Sequence, residues 1–347
     1  MKLEGRDSTF IVIGENIHTT RVYLRRGKHI VTTPAGAEAV RFIDHNGDQQ
    51  FLLIPDHIKK TQDYEEGRIK HMKIAVQAAM SGSGDQAKLG EEYLELQIKR
   101  QIDSGADFLD INVDEISVRE AEQQDAMRWL VQFVQARSSV PLCVDSSNSN
   151  TIEIGLEAGD NRAGRQMLNS ASLERMSALD LVGEHDACVI VTAAGESGMP
   201  QNAEERVTNA SRMVDASIER GIALGDIYID PLMFPISVDQ QFGNHVFDAI
   251  RQLRQKYGPE IHITGGFSNV SFGLPCRKLI NDAFAVLAIE AGADSGIVDP
   301  VANDLRRVFM IDQASLPFEH AKAMLLGGDP DCRAYLKAYR KKLFAVY

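Results

Sequence analysis

The chain has 347 residues, of which 44% are hydrophobic and 25% are charged, a balance typical of a globular protein with a sizeable core. Its formal net charge is -12 and it contains no long basic run, which disfavours nucleic-acid binding. No apolar run approaches the ~18 residues of a membrane span, and the N-terminal residues lack an apolar stretch of signal-peptide length. The cysteines form no CxxC pair, and Cys143 and Cys188 fall inside apolar runs as predicted core residues. We therefore expect a cytoplasmic protein that binds no membrane.

Short apolar runs that end in polar residues alternate with longer helical patterns along the chain. The candidate strands are, in chain order, Phe10–Ile13, Phe108–Asn112, Leu142–Asp145, Gln166–Asn169, Cys188–Thr192, Ile227–Asp230, His262–Gly265 and Ser295–Val298. Leu89–Ser104 and Asn202–Gly221 are examples of the predicted helices. Strands that alternate with helices are parallel, because only a crossover can join parallel neighbours. The pattern predicts an α/β fold, a single (β/α)8 TIM barrel, with an open doubly wound sheet as the alternative.

The stretch between the first two candidate strands is longer than a plain barrel needs. We predict that Leu24–Gly84 is an insertion in the first βα loop of a barrel that otherwise spans residues 1–347. Within it, an Asn-Gly pair at 46–47 separates the β-like runs Val40–Asp44 and Phe51–Ile54, a strong β-hairpin signal. A helical stretch, Glu65–Met80, follows. Because the first βα loop opens at the catalytic face of a barrel, the insertion is a candidate lid or partner-docking surface, with a structural appendage as the alternative.

The carboxyl ends of the candidate strands, where a barrel builds its active site, are rich in carboxylates and amides. These polar residues are Glu15, Asn16, Asp110, Asn112, Asp114, Glu115, Asp145, Ser146, Ser147, Asn148, Asn169, Ser170, Asp230, Ser268 and Asn269. Helix capping is the alternative explanation for the serines, but caps do not require carboxylates and amides at successive strand ends. Such a set suits a flat, uncharged heterocycle rich in donors and acceptors, as a pterin is. A phosphorylated sugar would instead require Lys, Arg and backbone N–H groups to bind its phosphate. The pair Gly265-Gly266 is the one weak sign of a phosphate-binding loop in the sequence.

Other site chemistries find little support in the sequence. The 9 histidines form no HxH or HExxH motif, so we predict no bound metal. His18 lies near the end of the first strand, but a lone histidine is more often a hydrogen-bonded structural residue. No GxSxG motif supports a serine nucleophile, and no GxGxxG follows the first strand.

At these same residues the sequence resembles a known family, the pterin-binding methyltransferases. These include the methyltetrahydrofolate:corrinoid protein methyltransferases and the folate-binding module of cobalamin-dependent methionine synthase. The matching stretches are GEN at 14–16, DINVDE at 110–115, VDSSN at 144–148, LNSASLE at 168–174, YIDPL at 228–232 and HITGGFSNVSFG at 262–273. The last is the most specific, and together they cover nearly all of the chain outside the insertion. The resemblance implies a dihydropteroate-synthase-like barrel.

The resemblance also implies roles for particular residues. Asp145, Asn169 and Asp230 match positions that hydrogen-bond the edge of the pterin. Asn269 matches the asparagine that contacts the pterin near N5, the nitrogen that bears the methyl group, and is the implied catalytic residue. Further positions near the pocket are matched by Asp110, Asn112, Ser268 and Arg277, with Glu15 and Asn16 added from the first motif. For Arg277, a surface ion pair is the alternative.

The implied activity is methyl transfer between tetrahydrofolate or 5-methyltetrahydrofolate and a corrinoid, in a direction that the sequence leaves open. The sequence has no DxHxxG motif that would ligate cobalamin and no cysteine cluster for zinc, so we expect the corrinoid to arrive on a separate corrinoid-binding protein. The family also implies a homodimer. A dihydropteroate synthase is an alternative, but its Ser-Arg-Lys stretch after strand seven and its Arg–His pair at the last strand are absent. A non-catalytic folate-binding protein is a further alternative.

Overall fold

Eight parallel strands form the centre of the fold in the computed structural model, which describes residues 1–344. We number these strands in chain order. They are β1 (Ile11–His18), β2 (Phe108–Asn112), β3 (Leu142–Asp145), β4 (Met167–Ala171), β5 (Cys188–Thr192), β6 (Ile227–Asp230), β7 (His262–Ile263) and β8 (Ser295–Val298). Their order in the sheet is β7-β6-β5-β4-β3-β2-β1-β8. A parallel bridge between Gly266 and Ile297 joins the two ends of that order, so the α/β barrel predicted from the sequence is confirmed.

A helix follows each strand, as the alternating pattern predicts. These helices are α1 (Gly84–Asp103), α2 (Glu120–Gln135), α3 (Ser149–Ala158), α4 (Ala178–Glu184), α5 (Ala203–Glu219), α6 (Phe242–Tyr257), α7 (Arg277–Ala291) and α8 (Leu316–Leu325). Other α-helical segments are Asp56–Lys59, Gln62–Glu65, His71–Met80 and Arg333–Arg340. Short 3-10 turns occur at Leu173–Arg175, Leu224–Asp226, Phe267–Ser271, Leu305–Met310 and Pro330–Cys332. Among residues 1–344, no helix combines the length and the apolar character that crossing a bilayer requires.

Local sequence signals explain why helix α5 begins where it does. The Asn202 side chain accepts a hydrogen bond from the Glu205 N–H at 2.9 Å, and the Glu205 carboxylate accepts from the Asn202 amide at 2.9 Å. This reciprocal capping satisfies donors that the first helical turn would otherwise leave unpaired. Along the helix, the buried positions include Ala210, Met213 and Val214, an apolar stripe at helical spacing.

The chain packs as two compact units, each with its own core. One unit comprises residues 1–14, 104–107 and 167–347, and its core contains the ring contacts Phe10–Phe267 at 6.0 Å and Phe267–Phe284 at 5.2 Å. The other comprises residues 15–103 and 108–166 and contains β2, β3 and the segment 24–84. Cys143 and Cys188 are buried in β3 and β5, as predicted.

The segment 24–84 contains the predicted hairpin. Glu38–Ile43 pairs antiparallel with Gln49–Leu53, and Gly47 in the turn has φ +87°, a value that favours glycine. A third strand, Ile30–Thr32, extends this sheet. The predicted helix over Glu65–Met80 is wrong in its first part, because Arg68–Lys70 is a strand that pairs with Val22–Leu24 and the helix starts at His71. Propensity alone does not reveal this pairing, since the partner strand lies far away in sequence.

Two barrel strands differ from the sequence prediction in a way that matters for the site. Strand β1 continues to His18, so Glu15 and Asn16 lie within the strand and do not follow it. Strand β7 ends at Ile263, and the predicted end at Gly265 lies beyond it. Gly265 has φ +148°, and a Cβ atom there would lie 2.2 Å from the Met233 sulfur and 2.8 Å from Asp230 Oδ1. The close approach of these side chains therefore requires glycine at this position.

Candidate functional site

Four polar residues from the ends of β1, β2 and β3 form one group, which we call the His18 cluster: His18 and Asp145, which are partly exposed, and Asp110 and Asn112, which are buried. His18 Nε2 lies 3.0 Å from Asp110 Oδ2, and the Asp110 side chain is 1% exposed. Asn112 and Asp145 are register partners of the parallel pair β2–β3. The Asn112 amide donates to Asp145 Oδ2 at 2.9 Å. Adjacent parallel strands thus bring together side chains that the sequence separates widely.

The charges of the His18 cluster act strongly on one another because water is largely excluded. Burial, followed by the negative charge of Asp110, raises the pKa of Asp145 to about 7, against the opposing effects of His18 and Asn112. Burial disfavours the charged form of His18, yet the charges of Asp110, Asp145 and Glu15 raise its pKa above the usual value. The cluster is therefore poised to exchange protons near neutral pH, as functional carboxylates often are.

Hydrogen bonds from backbone N–H groups and from a serine hydroxyl fix the loop residues that follow β2 and β3, next to the His18 cluster. Asn112 Oδ1 accepts from the Asp114 N–H at 2.9 Å. The Asp114 carboxylate accepts from the Ser146 hydroxyl at 2.6 Å and from the Ser147 N–H at 2.8 Å. Asn148 is the residue that caps helix α3, its side chain accepting from the Asn150 N–H. The strand-end residues thus divide their roles: Asn148 starts the helix, and Ser146 and Asp114 hold the loop next to the cluster.

Glu15 and Asn16 make different contacts. The Arg21 guanidinium donates to the Glu15 carboxylate at 3.2 Å. Asn16 is 6% exposed, and its backbone N–H donates to the Gln101 side chain at 2.9 Å. Glu15 adds negative charge that favours protonated His18, whereas the Asn16 backbone is fixed by helix α1.

The His18 cluster also has the composition of a cation site. One ligand atom each from His18, Asp110 and Asp145 lies within 4.8 Å of the others. Three such ligands could hold a divalent ion. The hydrogen bonds of His18 to Asp110 and of Asn112 to Asp145 already engage atoms that would coordinate it. The absence of a bound metal stays a prediction.

In the other compact unit, Asp230 lies at the end of β6, beside Thr192 of β5 in the parallel register. Its Oδ1 accepts from the Leu232 N–H at 2.7 Å. Burial raises the pKa of Asp230 to about 6, while the Leu232 N–H and the positive charge of Arg206 oppose the shift. Asp230 is therefore a buried carboxylate that is ionised above about pH 6. Asn169 lies on strand β4, opposite Ile190 of β5, and β5 separates β4 from β6.

The predicted catalytic residue lies in a 3-10 turn after β7, Phe267–Ser271, which we call the Asn269 turn. The Asn269 N–H donates to the Gly266 carbonyl at 3.0 Å. A Cβ atom at Gly266 would lie 2.8 Å from Asn269 Nδ2, closer than real Cβ contacts, so the carboxamide occupies space that only glycine leaves open. The Gly-Gly pair, which from sequence hinted at a phosphate loop, instead allows side chains to approach the backbone closely.

Arg277, the first residue of α7, supports the Asn269 turn from outside. Its Nη2 donates to the Ser268 carbonyl at 2.7 Å, and its Nε donates to the Ser271 hydroxyl at 2.9 Å. The guanidinium carbon lies 4.5 Å above the centre of the Phe272 ring. These contacts hold both ends of the turn that carries Asn269.

Sequence reasoning undervalued two residues. The sequence favours a structural role for His18 because it is a lone histidine near the end of the first strand, whereas in the structure β1 continues to His18 and its ring contacts Asp110. Period-2 alternation continued from Asn16 would have placed His18 on the same side of the strand. Arg206 was missed altogether, although it falls in the apolar stripe of helix α5, where a charge is rare, and it is 0% exposed.

The chain is thus a parallel eight-stranded barrel with buried carboxylates and amides at its strand ends. Comparison with known proteins identifies the class. The family model described as pterin binding enzyme matches residues 88–299, which is more than half of the chain. The chain belongs to this pterin-binding enzyme family.

Similar proteins are of two kinds. Methylcorrinoid:tetrahydrofolate methyltransferase of Eubacterium limosum is 28% identical over 256 residues, covering 72% of this chain and 88% of that protein. Methionine synthase of Mycobacterium leprae is 32% identical over 230 residues, covering 61% of this chain but only 18% of that protein. The methionine synthase is much longer than the part of it that this chain matches.

Solved structures agree in fold. Dihydropteroate synthase from Xanthomonas albilineans, in complex with 7,8-dihydropteroate, superimposes with a TM-score of 0.52 and 20% identity, covering 68% of this chain and 90% of that one. The Yersinia pestis enzyme with a pterin–sulfa conjugate gives a TM-score of 0.52 and 20% identity, covering 63% and 86%. At this identity the likeness concerns the fold alone, the dihydropteroate-synthase-like barrel.

Proposed function

We propose that the protein is a methyltransferase that moves a methyl group between N5 of tetrahydrofolate and the cobalt of a corrinoid held on a separate corrinoid-binding protein. The observation that carries this proposal is the similarity to a protein named methylcorrinoid:tetrahydrofolate methyltransferase, along 88% of that protein. Membership of the pterin-binding family supports the folate half of the reaction. The direction is left open, because the same site serves both.

The residues then divide into binding and reacting groups. Asp145, when ionised, accepts from the amino group and a ring N–H of the pterin, and its hydrogen bond from Asn112 orients it. Asp230 and Asn169 are proposed as further contacts to the pterin edge. The remaining proposed pocket residues are Asp110, Ser268, Arg277, Glu15 and Asn16.

Asn269 is the proposed catalytic residue. A tertiary amine releases a methyl group poorly, because the electron pair of the broken N5–methyl bond remains on nitrogen. A proton on N5 makes the departing amine neutral, and a hydrogen bond that strengthens as the bond breaks stabilises the charge that develops on the nitrogen. The corrinoid cobalt supplies the nucleophile in one direction and the methyl group in the other. The chain itself orients the ring, and the Asn269 carboxamide stabilises charge at N5.

We also propose a docking surface for the corrinoid protein and an oligomeric state. The segment 24–84 is the proposed docking surface for the corrinoid protein, since it would open at the catalytic face of the barrel. A homodimer is the proposed assembly.

The first experiment mixes the protein anaerobically with 5-methyltetrahydrofolate and cob(I)alamin and follows the visible spectrum for methyl transfer. We expect turnover in the wild-type protein and a loss of about 100-fold in Asn269→Ala, with folate affinity changed much less. The matched control is Asn150→Ala, since Asn150 is exposed and its amide donates to Glu120.

If Asn269→Ala turns over at the wild-type rate, Asn269 does not have the catalytic role that we propose for it. Folate binding without methyl transfer, either to free cob(I)alamin or to purified corrinoid proteins, would instead favour a non-catalytic folate-binding protein. Condensation of a pterin pyrophosphate with aminobenzoate would favour a dihydropteroate synthase.

A further inference from the structure

His18 is the member of the His18 cluster to which the proposed function gives no role. Its Nε2 lies 3.0 Å from Asp110 Oδ2, and its side chain is 14% exposed, so a bound molecule can reach part of the ring. The other ring nitrogen, Nδ1, has no hydrogen-bond partner within residues 1–344. A polar atom that has no partner in the protein, in a site that is nearly closed to water, is available to a ligand.

The surroundings of His18 favour its protonated form, in which both ring nitrogens donate. Asp110 on β2 is in direct contact, and one nitrogen of His18 and one oxygen of Asp145 on β3 lie within 4.8 Å of each other. Glu15, on the same strand as His18, adds a third negative charge and itself pairs with Arg21 at 3.2 Å. Burial opposes the charged form of His18, yet the three carboxylates raise its pKa above the usual value. Because Nε2 donates to Asp110, the Nδ1–H of the imidazolium is the donor that remains.

This donor lies among groups that accept. Asp110 and Asp145 are acceptors when they are ionised, and the Asn112 amide already donates to Asp145 at 2.9 Å. Carboxylates match the amino and N–H groups of a pterin but repel its acceptor atoms. In the proposed function Asn269 contacts N5, and the carbonyl oxygen at position 4 is the strongest acceptor that remains on the ring. This oxygen is next to N3–H, the ring N–H beside the amino group, so a donor close to Asp145 can reach it.

We propose that His18 is a binding residue that sets specificity for the pterin, and that its Nδ1–H donates to the carbonyl oxygen at position 4. The inference rests on the proposed function, in which Asp145 of the same cluster accepts from the neighbouring N–H. The two nitrogens of an imidazole point in different directions, so the hydrogen bond of Nε2 to Asp110 also fixes where Nδ1 points. A pteridine with an amino group at position 4 offers a donor there, and the site should discriminate against it.

The test uses the different reach of two amide side chains. Asparagine places its amide near the position of Nδ1, whereas glutamine places it near that of Nε2. His18→Asn therefore keeps a donor toward the pterin, and His18→Gln keeps the contact with Asp110. His57→Gln is the matched control, since His57 is exposed and its Nε2 lies 3.0 Å from Gln77 Oε1. Calorimetry at pH 7 gives the dissociation constants of tetrahydrofolate and of its 4-amino analogue, with EDTA present to remove any cation from the cluster.

We expect the preference for tetrahydrofolate over the 4-amino analogue to fall about tenfold in His18→Gln and to stay within about twofold of wild type in His18→Asn and in the control. The analogue also lacks N3–H, but that loss is common to all variants and cancels in the comparison. An unchanged preference in His18→Gln overturns the inference. A preference that His18→Asn loses as fully as His18→Gln, or more fully, also overturns it, because His18 then acts through Asp110 or through its shape.

A second measurement observes the ring nitrogen directly. In protein labelled with ¹⁵N at histidine, the signals that His18→Asn removes belong to His18. Saturation with tetrahydrofolate should shift the Nδ1 signal and slow the exchange of its proton, with a smaller change at Nε2. Binding of tetrahydrofolate with an unmoved Nδ1 signal contradicts this inference alone, whatever the affinities of the variants. Failure of the wild type to bind tetrahydrofolate contradicts the proposed function and this inference with it.

Discussion

The His18 cluster and the Asn269 turn are both polar, but they are held by different forces. In the His18 cluster, three titratable groups share a buried space, and the pKa of Asp145 reaches about 7 because burial and Asp110 oppose its charge. The Asn269 turn is held by hydrogen bonds to backbone carbonyls, which the Asn269 N–H donates to Gly266 and the Arg277 guanidinium donates to Ser268. Binding that depends on the His18 cluster should therefore change with pH. The function of the Asn269 turn should instead depend on the space that is left for the Asn269 side chain.

The largest expected effect tests the charge of the first region. Asp145→Asn keeps the size of the side chain but removes the carboxylate, and we expect folate to bind about 100-fold more weakly at pH 8. The sign of the pH dependence follows from the raised pKa. Wild-type Asp145 becomes protonated as pH falls through about 7, so the difference between variant and wild type should shrink toward pH 5.5.

The measurement is a fluorescence or calorimetric titration with tetrahydrofolate, and Asp125→Asn is the control, since Asp125 is exposed and pairs with Arg128. Equal affinities of the Asp145 variant and the wild type at pH 8 would show that the cluster does not bind the pterin.

The second prediction tests the shape of the other region. In Gly266→Ala the new methyl group would meet Asn269 Nδ2 at 2.8 Å, so the carboxamide must move. We expect turnover to fall about 30-fold, with little change between pH 6 and pH 8, because this region contains no group that titrates there. Gly183→Ala is the matched control, since a Cβ atom there meets nothing within 4 Å. Wild-type turnover in Gly266→Ala would mean that the position of Asn269 does not matter to the reaction.

The smallest expected effect concerns the support of the Asn269 turn. Arg277→Lys cannot donate to both the Ser268 carbonyl and the Ser271 hydroxyl in the geometry of the guanidinium. We expect the free energy of unfolding to fall by about 1 kcal/mol and turnover to fall a few-fold. Denaturant unfolding measures the first quantity and the anaerobic assay the second. A large loss of folate affinity with unchanged stability would indicate direct contact with the ligand.

The sequence by itself determined the barrel and the positions of its strands, because hydrophobic period and strand-end polarity are local signals. It also supplied Asp145, Asp230 and Asn269 as candidates, through strand ends and motifs. It misplaced the end of β1 and the start of the helix at His71, since both depend on pairing with distant strands.

Only the tertiary structure decided which side chains meet. His18 and Asp110 are 92 residues apart in sequence, and Asn112 and Asp145 are 33 apart, yet each pair is hydrogen-bonded. The raised pKa of Asp145 and the partly unpaired guanidinium of Arg206 arise from burial, which depends on how elements pack around a residue. Local pattern locates an element, but the dielectric environment of a charge is a property of the whole fold.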